Sequence, residues 1–471
     1  MVKTTDVFTP NRPPTLTSVK REVLWNTLDL YAEQGGAFIS VLGTTKLGKS
    51  TLVKSFMPLS NFAAYIPGQN LAGGAKDLWS RLVADLGIPS SSTNGKVIGD
   101  KARWGFLSRF NVSIGLLRGE AGGQLGGEHH SDFSEGYAFD MDAPSAVVEA
   151  MELIAQQARA DGSYPPVLII DDFHFIVDAE KRREIVLALR PLTDCGVTVV
   201  LATLPGREAD EGFSGTNVGG RHYVVYVPRW DKSELREIAV SGFSALNVSA
   251  EDDLIANLVE RSHGSPQIMQ QLCLNLCRLD NGVRDDTSNV GQLQPPEDWD
   301  EFFRRVKDPH SVSWLRKLGV GLTARKPRKA KVALPDGQVL DGYQLILWAL
   351  HELGAPDEVR FIDVRARIAS LESVSDVSRF ALEQKAQNMN ALASRDMSDA
   401  LAGLPPGGAP EEDESVLDSG LFSEEELRVA AHVPQPVFEV EGDGSANLRI
   451  RILDPLLAYT LKWHPESFIG Q

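Results

Sequence analysis

The sequence predicts an α/β fold, a parallel sheet held between helices in three layers, followed by a helical segment and a C-terminal domain of helices and a hairpin. Three observations carry this expectation. Short apolar runs of strand length at 37–42, 62–66, 167–172, 197–203 and 222–227 alternate with stretches of helical periodicity. Strands then vanish between 231 and 279, where three helix-like segments follow one another. Further on, helix-like stretches at 342–353, 361–371 and 376–394 precede VFEVEGDGSANLRIRIL, the helix–helix–helix–hairpin order of a winged helix-turn-helix.

Residues 1–20 are rich in Pro and Thr and read as an irregular lead-in. From 18 to 33, Val23, Leu24, Leu28, Leu30 and Tyr31 fall at helical spacing, and Gly35-Gly36 ends the run. AFISVL at 37–42 is a short, mainly apolar run, as expected of a strand covered on both faces. After the strand candidate at 62–66, Leu78, Leu82 and Leu86 mark one face of a helix over 75–86. The Gly-rich region 89–141 breaks the pattern and reads as an irregular insertion with a hairpin-like piece at 111–117. Alternation resumes with helix 144–158, strand 167–172, helix 179–189, strand 197–203, a Gly-rich loop and strand 222–227. Helices at 232–244, 250–261 and 266–279 read as a lid, and 280–300 as a polar linker. The expected organisation is a core at 1–230, a helical lid at 231–300, a basic linker at 301–335 and a winged-helix-like domain at 336–471 carrying an acidic Gly/Pro-rich loop at 402–426.

Length and composition bound the function. With 471 residues, 42% hydrophobic and 24% charged, the chain has the make-up of a globular protein of several domains. No apolar run approaches the roughly 20 residues of a membrane helix, and MVKTTDVFTPNRPP has no apolar core for secretion. Three scattered cysteines cannot build a disulfide framework, which fits a reducing cytoplasm. A net charge of −17 argues against a protein that coats nucleic acid over its whole surface.

The chemistry is concentrated in Gly43-Thr44-Thr45-Lys46-Leu47-Gly48-Lys49-Ser50, the pattern G-x-x-x-x-G-K-[ST], with Thr51 continuing into an amphipathic helix. Such a loop turns backbone N–H groups inward around phosphates, and its glycines tolerate the conformations this demands. The helix behind it offers its N-terminus to the same charge. Lys49 would neutralise the β- and γ-phosphates and Ser50 would ligate Mg²⁺. Four apolar residues followed by Asp171 and Asp172 supply the required acids: Asp171 to hold Mg²⁺ through water, Asp172 to polarise an attacking water. Thr203 ends the next strand, where a polar side chain can sense the γ-phosphate or merely cap the strand. Arg207 and Arg221 are arginine-finger candidates in the following loop, with solvated arginines as the alternative, and His174 reads as a loop histidine that packs. Cys273 and Cys277 share a helical face but lack a third ligand nearby, so they read as buried thiols.

The phosphate loop, the strand ending in Asp171-Asp172, the Thr203 strand and the sequence His263-Gly264-Ser265-Pro266 together resemble STAND-type P-loop NTPases, relatives of AAA+ ATPases. The resemblance covers about 18–330 and, more weakly, the winged helix. It implies that Gly264, Ser265 and Pro266 open a lid helix near the nucleotide. It also implies ATP as cofactor, an oligomerising switch that controls a protein partner or effector, and a setting in signalling or antiphage defence. The 89–141 insertion and the missing array of sensor repeats depart from the pattern, and Arg207 matches the family's arginine only loosely. An alternative is a DNA-binding AAA+ regulator or loader resembling origin-recognition or transposition ATPases. For that reading the basic segment 304–331 is the nucleic-acid candidate, since 331–471 holds 11 Lys and Arg against 24 Asp and Glu.

Overall fold

Five parallel strands form one sheet: β1 (Phe38–Leu42), β2 (Ala63–Pro67), β3 (Val167–Asp171), β4 (Thr198–Thr203) and β5 (His222–Tyr226), in the spatial order β2-β3-β4-β1-β5. They are seen in a computed structural model that describes residues 1–60, 62–88, 143–176, 178–204, 220–289, 291–321, 331–374, 377–393, 437–442 and 447–469. Every residue of β1, β3 and β4 is buried, because these strands lie inside the sheet between two layers of helix. The strand β2, at one edge, alternates buried and half-buried residues instead. In register, Leu42 pairs with Thr203 and with Tyr226, and Asp171 with Pro67, so all five strands end at one side of the sheet. A G-x-x-x-x-G-K-[ST] turn at the end of β1, leading directly into a helix, makes this the α/β arrangement of P-loop NTPases.

The described chain falls into two compact units. One comprises Arg21–Gly43 and Gly48–Val227 and contains the sheet with helices α1 (Glu22–Glu33), α2 (Lys49–Lys54), α3 (Ala75–Leu86), α4 (Ala143–Asp161) and α5 (Ala179–Asp194). Leu78, Leu82 and Leu86 of α3 meet Met151 and Ile154 of α4 and Ile185, Val186 and Leu189 of α5 over Leu168, Ile170 and Leu201 of the sheet. Asp178 starts α5 by accepting from the Glu180 and Lys181 N–H groups.

The second unit comprises Met1–Lys20, the loop tip Thr44–Leu47 and Pro228–Gln471. Its helices α6 (Lys232–Ala245), α7 (Asp252–Arg261), α8 (Pro266–Asn275) and α9 (Trp299–Arg304) form one core. An Asp231/Glu234 capping box opens α6. The sequence reading carried the third helix to 279; α8 stops at Asn275 and a π turn runs on to Asp280. The lead-in is not irregular throughout. A short turn at Thr4–Val7 pins Val7 and Phe8 into this core, with the Phe8 ring edge-on to Phe243 at 5.7 Å. Two apolar residues in a polar stretch have no periodicity, so the anchor was invisible in the sequence.

A second core joins α10 (Pro309–Val320), α11 (Gly342–Glu352), α12 (Phe361–Ala369) and α13 (Leu382–Ala393) with a three-stranded antiparallel sheet. That sheet has the order β8-β10-β9, from β8 (Glu358–Arg360), β9 (Phe438–Glu441) and β10 (Arg449–Ile452), while β6 (Lys331–Ala333) and β7 (Val339–Asp341) pair separately. The stretch read as a helix from 376 begins with a 3-10 turn, Val377–Phe380, and becomes α-helical at Leu382. The final helix, α14 (Pro455–Trp463), serves both cores: Leu457, Ala458 and Leu461 enter one, Leu456 and Tyr459 the other. Tyr459 also donates to the Phe303 carbonyl at 2.7 Å. The basic stretch is partly helical, with Arg304 in α9 and Arg316 and Lys317 in α10. The insertion expected at 89–141 and the acidic loop at 402–426 lie outside the described residues, as do Arg325, Lys326, Arg328 and Lys329. No described helix is long and apolar enough to cross a membrane.

Candidate functional site

The phosphate loop leaves β1 at Gly43, where a Cβ would sit 3.0 Å from both the side chain and the carbonyl of Val227. Lys46 and Gly48 are left-handed, at φ 62° and 86°, and Gly48 forms the N-cap of α2. Glycine takes that conformation freely; lysine pays about 1 kcal/mol for it. Lys49, the first residue of α2, is only 6% exposed, and its ammonium donates to the Gly43 carbonyl at 2.5 Å. Burial lowers its pKa to about 8, against the opposing pull of Asp172 and Asp171. Ser50 follows half-buried in the same turn, and Thr51 is exposed. At the loop tip, the Thr45 hydroxyl is buried without a hydrogen-bond partner.

The two acids stand at the same side of the sheet. Asp171, the last residue of β3, is 2% exposed, and both its carboxylate oxygens are engaged. Its Oδ1 accepts from the Asp172 N–H at 3.0 Å and its Oδ2 from the Tyr65 hydroxyl at 2.5 Å. Asp172 is left-handed, at φ 53°, a region that Asp visits more readily than most residues. Partial burial, then the neighbouring Asp171, raise its pKa, while Lys49 and Lys54 oppose the rise. Gly68 makes room for this turn, since a Cβ there would overlap the Asp172 carbonyl. Buried Thr203 ends β4, between β3 and β1, and its carbonyl accepts from the Gly43 N–H at 3.4 Å. His174 is buried and stacks on Phe175, with ring centroids 4.7 Å apart.

Arg221 does not join these residues. It precedes β5, at the opposite side of the sheet from Gly43 and roughly 20 Å along the strands, where it pairs with Asp194 at 2.7 Å. It cannot act as a finger on its own loop. Arg207 lies outside the described residues. Gly264, Ser265 and Pro266 form the start of α8: Ser265 accepts from the Ile268 N–H at 3.4 Å and Pro266 takes the first helical position. Gly264 is left-handed, at φ 66°, and its carbonyl accepts from the Trp230 N–H at 3.1 Å. Burial lowers the pKa of the adjacent His263 to about 4, helped by Arg229. Cys273 and Cys277 are buried in the helical core, where burial pushes both thiols up.

The sequence reading missed three contributors. Trp230 donates from Nε1 to the Leu47 carbonyl at 2.9 Å, within the unit that holds the loop tip. Tyr65 bonds Asp171, and Gly68 admits the Asp172 turn. A tyrosine inside an otherwise aliphatic strand was the only available signal for Tyr65.

The residues fit a nucleotide triphosphate with Mg²⁺. Buried Lys49, whose ammonium reaches the Gly43 carbonyl, and the paired carboxylates Asp171 and Asp172 are the groups such a ligand requires.

No family model matches the sequence, and no curated protein does. Solved structures similar to this chain include a Walker-type ATPase of Pyrococcus abyssi, at 14% identity, covering 95% of this chain and 100% of that one with a TM-score of 0.49. The ORC2 protein of Aeropyrum pernix, in ADPNP and ADP complexes, is similar at 12% identity, with 98% and 96% covered and a TM-score of 0.41. Cdc6p of Pyrobaculum aerophilum is similar at 12% identity, with 97% of each chain covered and a TM-score of 0.35. With each TM-score below 0.5, the P-loop fold stands on the strand order and the phosphate loop themselves.

Proposed function

We propose that this chain is an ATP-binding and ATP-hydrolysing switch of the STAND/AAA+ kind that acts on a protein partner. The observation that carries this is the meeting of Lys49, Asp171 and Asp172 at one end of a single parallel sheet, where both acids act on the Lys49 ammonium. Lys49 and the amides at the start of α2 would hold the phosphates, and Ser50 and Asp171 would hold magnesium. Bound magnesium supplies charge neutralisation across the β- and γ-phosphates. Asp172, its pKa raised by burial and by Asp171, is suited to orient water and accept its proton. Thr203 ends the intervening strand, where it would sense the γ-phosphate. In this reading the Gly264–Pro266 turn reports nucleotide state, and the C-terminal helices and three-stranded sheet act as a winged-helix module. An oligomerising protein in signalling or antiphage defence is what the family resemblance implies.

A protein partner is favoured over DNA because the C-terminal charge is acidic and Arg305, within the basic stretch, is already engaged by Asp280 and Glu301.

Binding of ATP and release of phosphate, measured on wild type, Lys49→Ala and Asp172→Asn, test this reading. Lys49→Ala is expected to weaken ATP binding by about 100-fold or more. Asp172→Asn should bind within a few-fold of wild type and lose about 100-fold or more in turnover. A wild-type chain that ignores ATP would end the reading. Salt-dependent binding to duplex DNA, lost when Arg316 and Lys317 are replaced by Ala, would favour the loader alternative.

A further inference from the structure

Tyr65 lies on β2, in register with Ile169 of β3, two residues before Asp171. Its hydroxyl donates to Oδ2 of Asp171 at 2.5 Å, while the Asp172 N–H donates to Oδ1 at 3.0 Å. Two donors from different parts of the chain thus fix both the rotation and the tilt of one carboxylate. That carboxylate is 2% exposed, so bulk water does not supply the second bond. The tyrosine is itself held: the Lys54 ammonium lies 4.0 Å above its ring centroid. Lys54 ends the six-residue helix that begins with Lys49, so one short rigid element carries the phosphate lysine at its start and, at its end, the cation that rests on Tyr65. The neighbouring strand positions do not provide this. Ala63, Ala64 and Ile66 are apolar, and only Tyr65 among them carries a donor.

We propose that Tyr65 is a positioning residue for Asp171, holding the carboxylate in the orientation it presents to magnesium and tying that orientation to the phosphate-loop helix through Lys54. The inference rests on the reading of Asp171 as a magnesium-holding acid. In this role Tyr65 acts through Asp171. A hydrogen bond to a charged, buried acceptor is among the stronger ones in a protein, so its loss is felt in metal affinity even when the fold is unchanged.

The test is Tyr65→Phe, which deletes the hydroxyl and keeps the ring under Lys54. The affinity of a slowly hydrolysed ATP analogue is measured in EDTA and across a magnesium titration, and Mn²⁺ bound to the protein–nucleotide complex is counted from the loss of the free-ion spectrum. Tyr65→Phe is expected to bind the analogue in EDTA within twofold of wild type. The metal concentration for half-maximal effect should rise about tenfold. Thermal melting in the absence of ligand serves as a control for the fold. An unshifted metal titration in Tyr65→Phe overturns the proposal. Asp171→Asn separates this from the underlying reading. If Asp171→Asn also leaves metal dependence intact, Asp171 does not hold the metal and both fall. If Asp171→Asn abolishes it while Tyr65→Phe changes nothing, only the role of Tyr65 is lost.

Discussion

The ammonium of Lys46 lies 3.7 Å from the carboxylate of Asp454, and the same ammonium is 4.0 Å from Asp308. Both acids are helix N-caps: Asp454 accepts from the Leu456 N–H at 2.8 Å to start α14, and Asp308 from the Ser311 N–H at 2.9 Å to start α10. Lys46, the one residue between Gly43 and Gly48 with a left-handed backbone, is thus the counter-charge of two caps in the C-terminal part of the chain. Replacing Lys46 by Ala removes one of the cations that face buried Asp454, Arg229 being another, and is expected to cost about 1 kcal/mol in urea unfolding. Asp454→Asn keeps the capping oxygen and removes the charge. In a double-mutant cycle with Lys46→Ala the two should couple by at least about 0.5 kcal/mol, and additive effects would show that the ion pair contributes nothing.

Nucleotide affinity should depend on pH through Lys49. Its pKa is about 8 in the free chain, below the ordinary 10.5, because burial disfavours the ammonium. A bound triphosphate stabilises that ammonium, so above pH 8 binding must take up a proton. Affinity is therefore level below about pH 8 and falls by up to tenfold per pH unit above it. Lys49→Arg, which stays charged, should flatten the profile at whatever affinity it retains. Titrations of an ATP analogue between about pH 7 and 9.5 decide the matter, and a wild-type profile as flat as that of the arginine variant refutes it.

Gly68 and Asp172 should be coupled through the backbone. A methyl group at Gly68 meets the Asp172 carbonyl and the Phe173 backbone, neither of which is the free end of a flexible side chain. Gly68→Ala is expected to cost about 1–3 kcal/mol of stability. By displacing Asp172, it should lower phosphate release far more than ATP binding. Unchanged turnover in Gly68→Ala would mean that the Asp172 turn tolerates movement.

Much of the α/β core is legible in the sequence. AFISVL and VLII are predominantly apolar runs, as strands buried on both faces tend to be. The spacing of Leu78, Leu82 and Leu86 identified the buried face of α3 because a helix repeats its contacts every three or four residues. Where a signal was periodic, element type followed, but ends slipped: a 3-10 turn opens the stretch read from 376, and α5, read to 189, runs on to Asp194.

Sequence alone determined that a glycine-bounded loop stands between an apolar strand and a helix, and that a second apolar strand ends in two acids. Those are local properties, fixed by backbone conformation and by hydrophobic periodicity along neighbouring residues. Tertiary structure alone decided which side chains surround them: Tyr65 on Asp171, Trp230 on Leu47, Asp454 on Lys46, and Arg221 at the far side of the sheet. Each of these depends on strand order or on the docking of helices distant in the chain. Such contacts leave no periodic trace in the sequence, because a single polar side chain suffices to make each one.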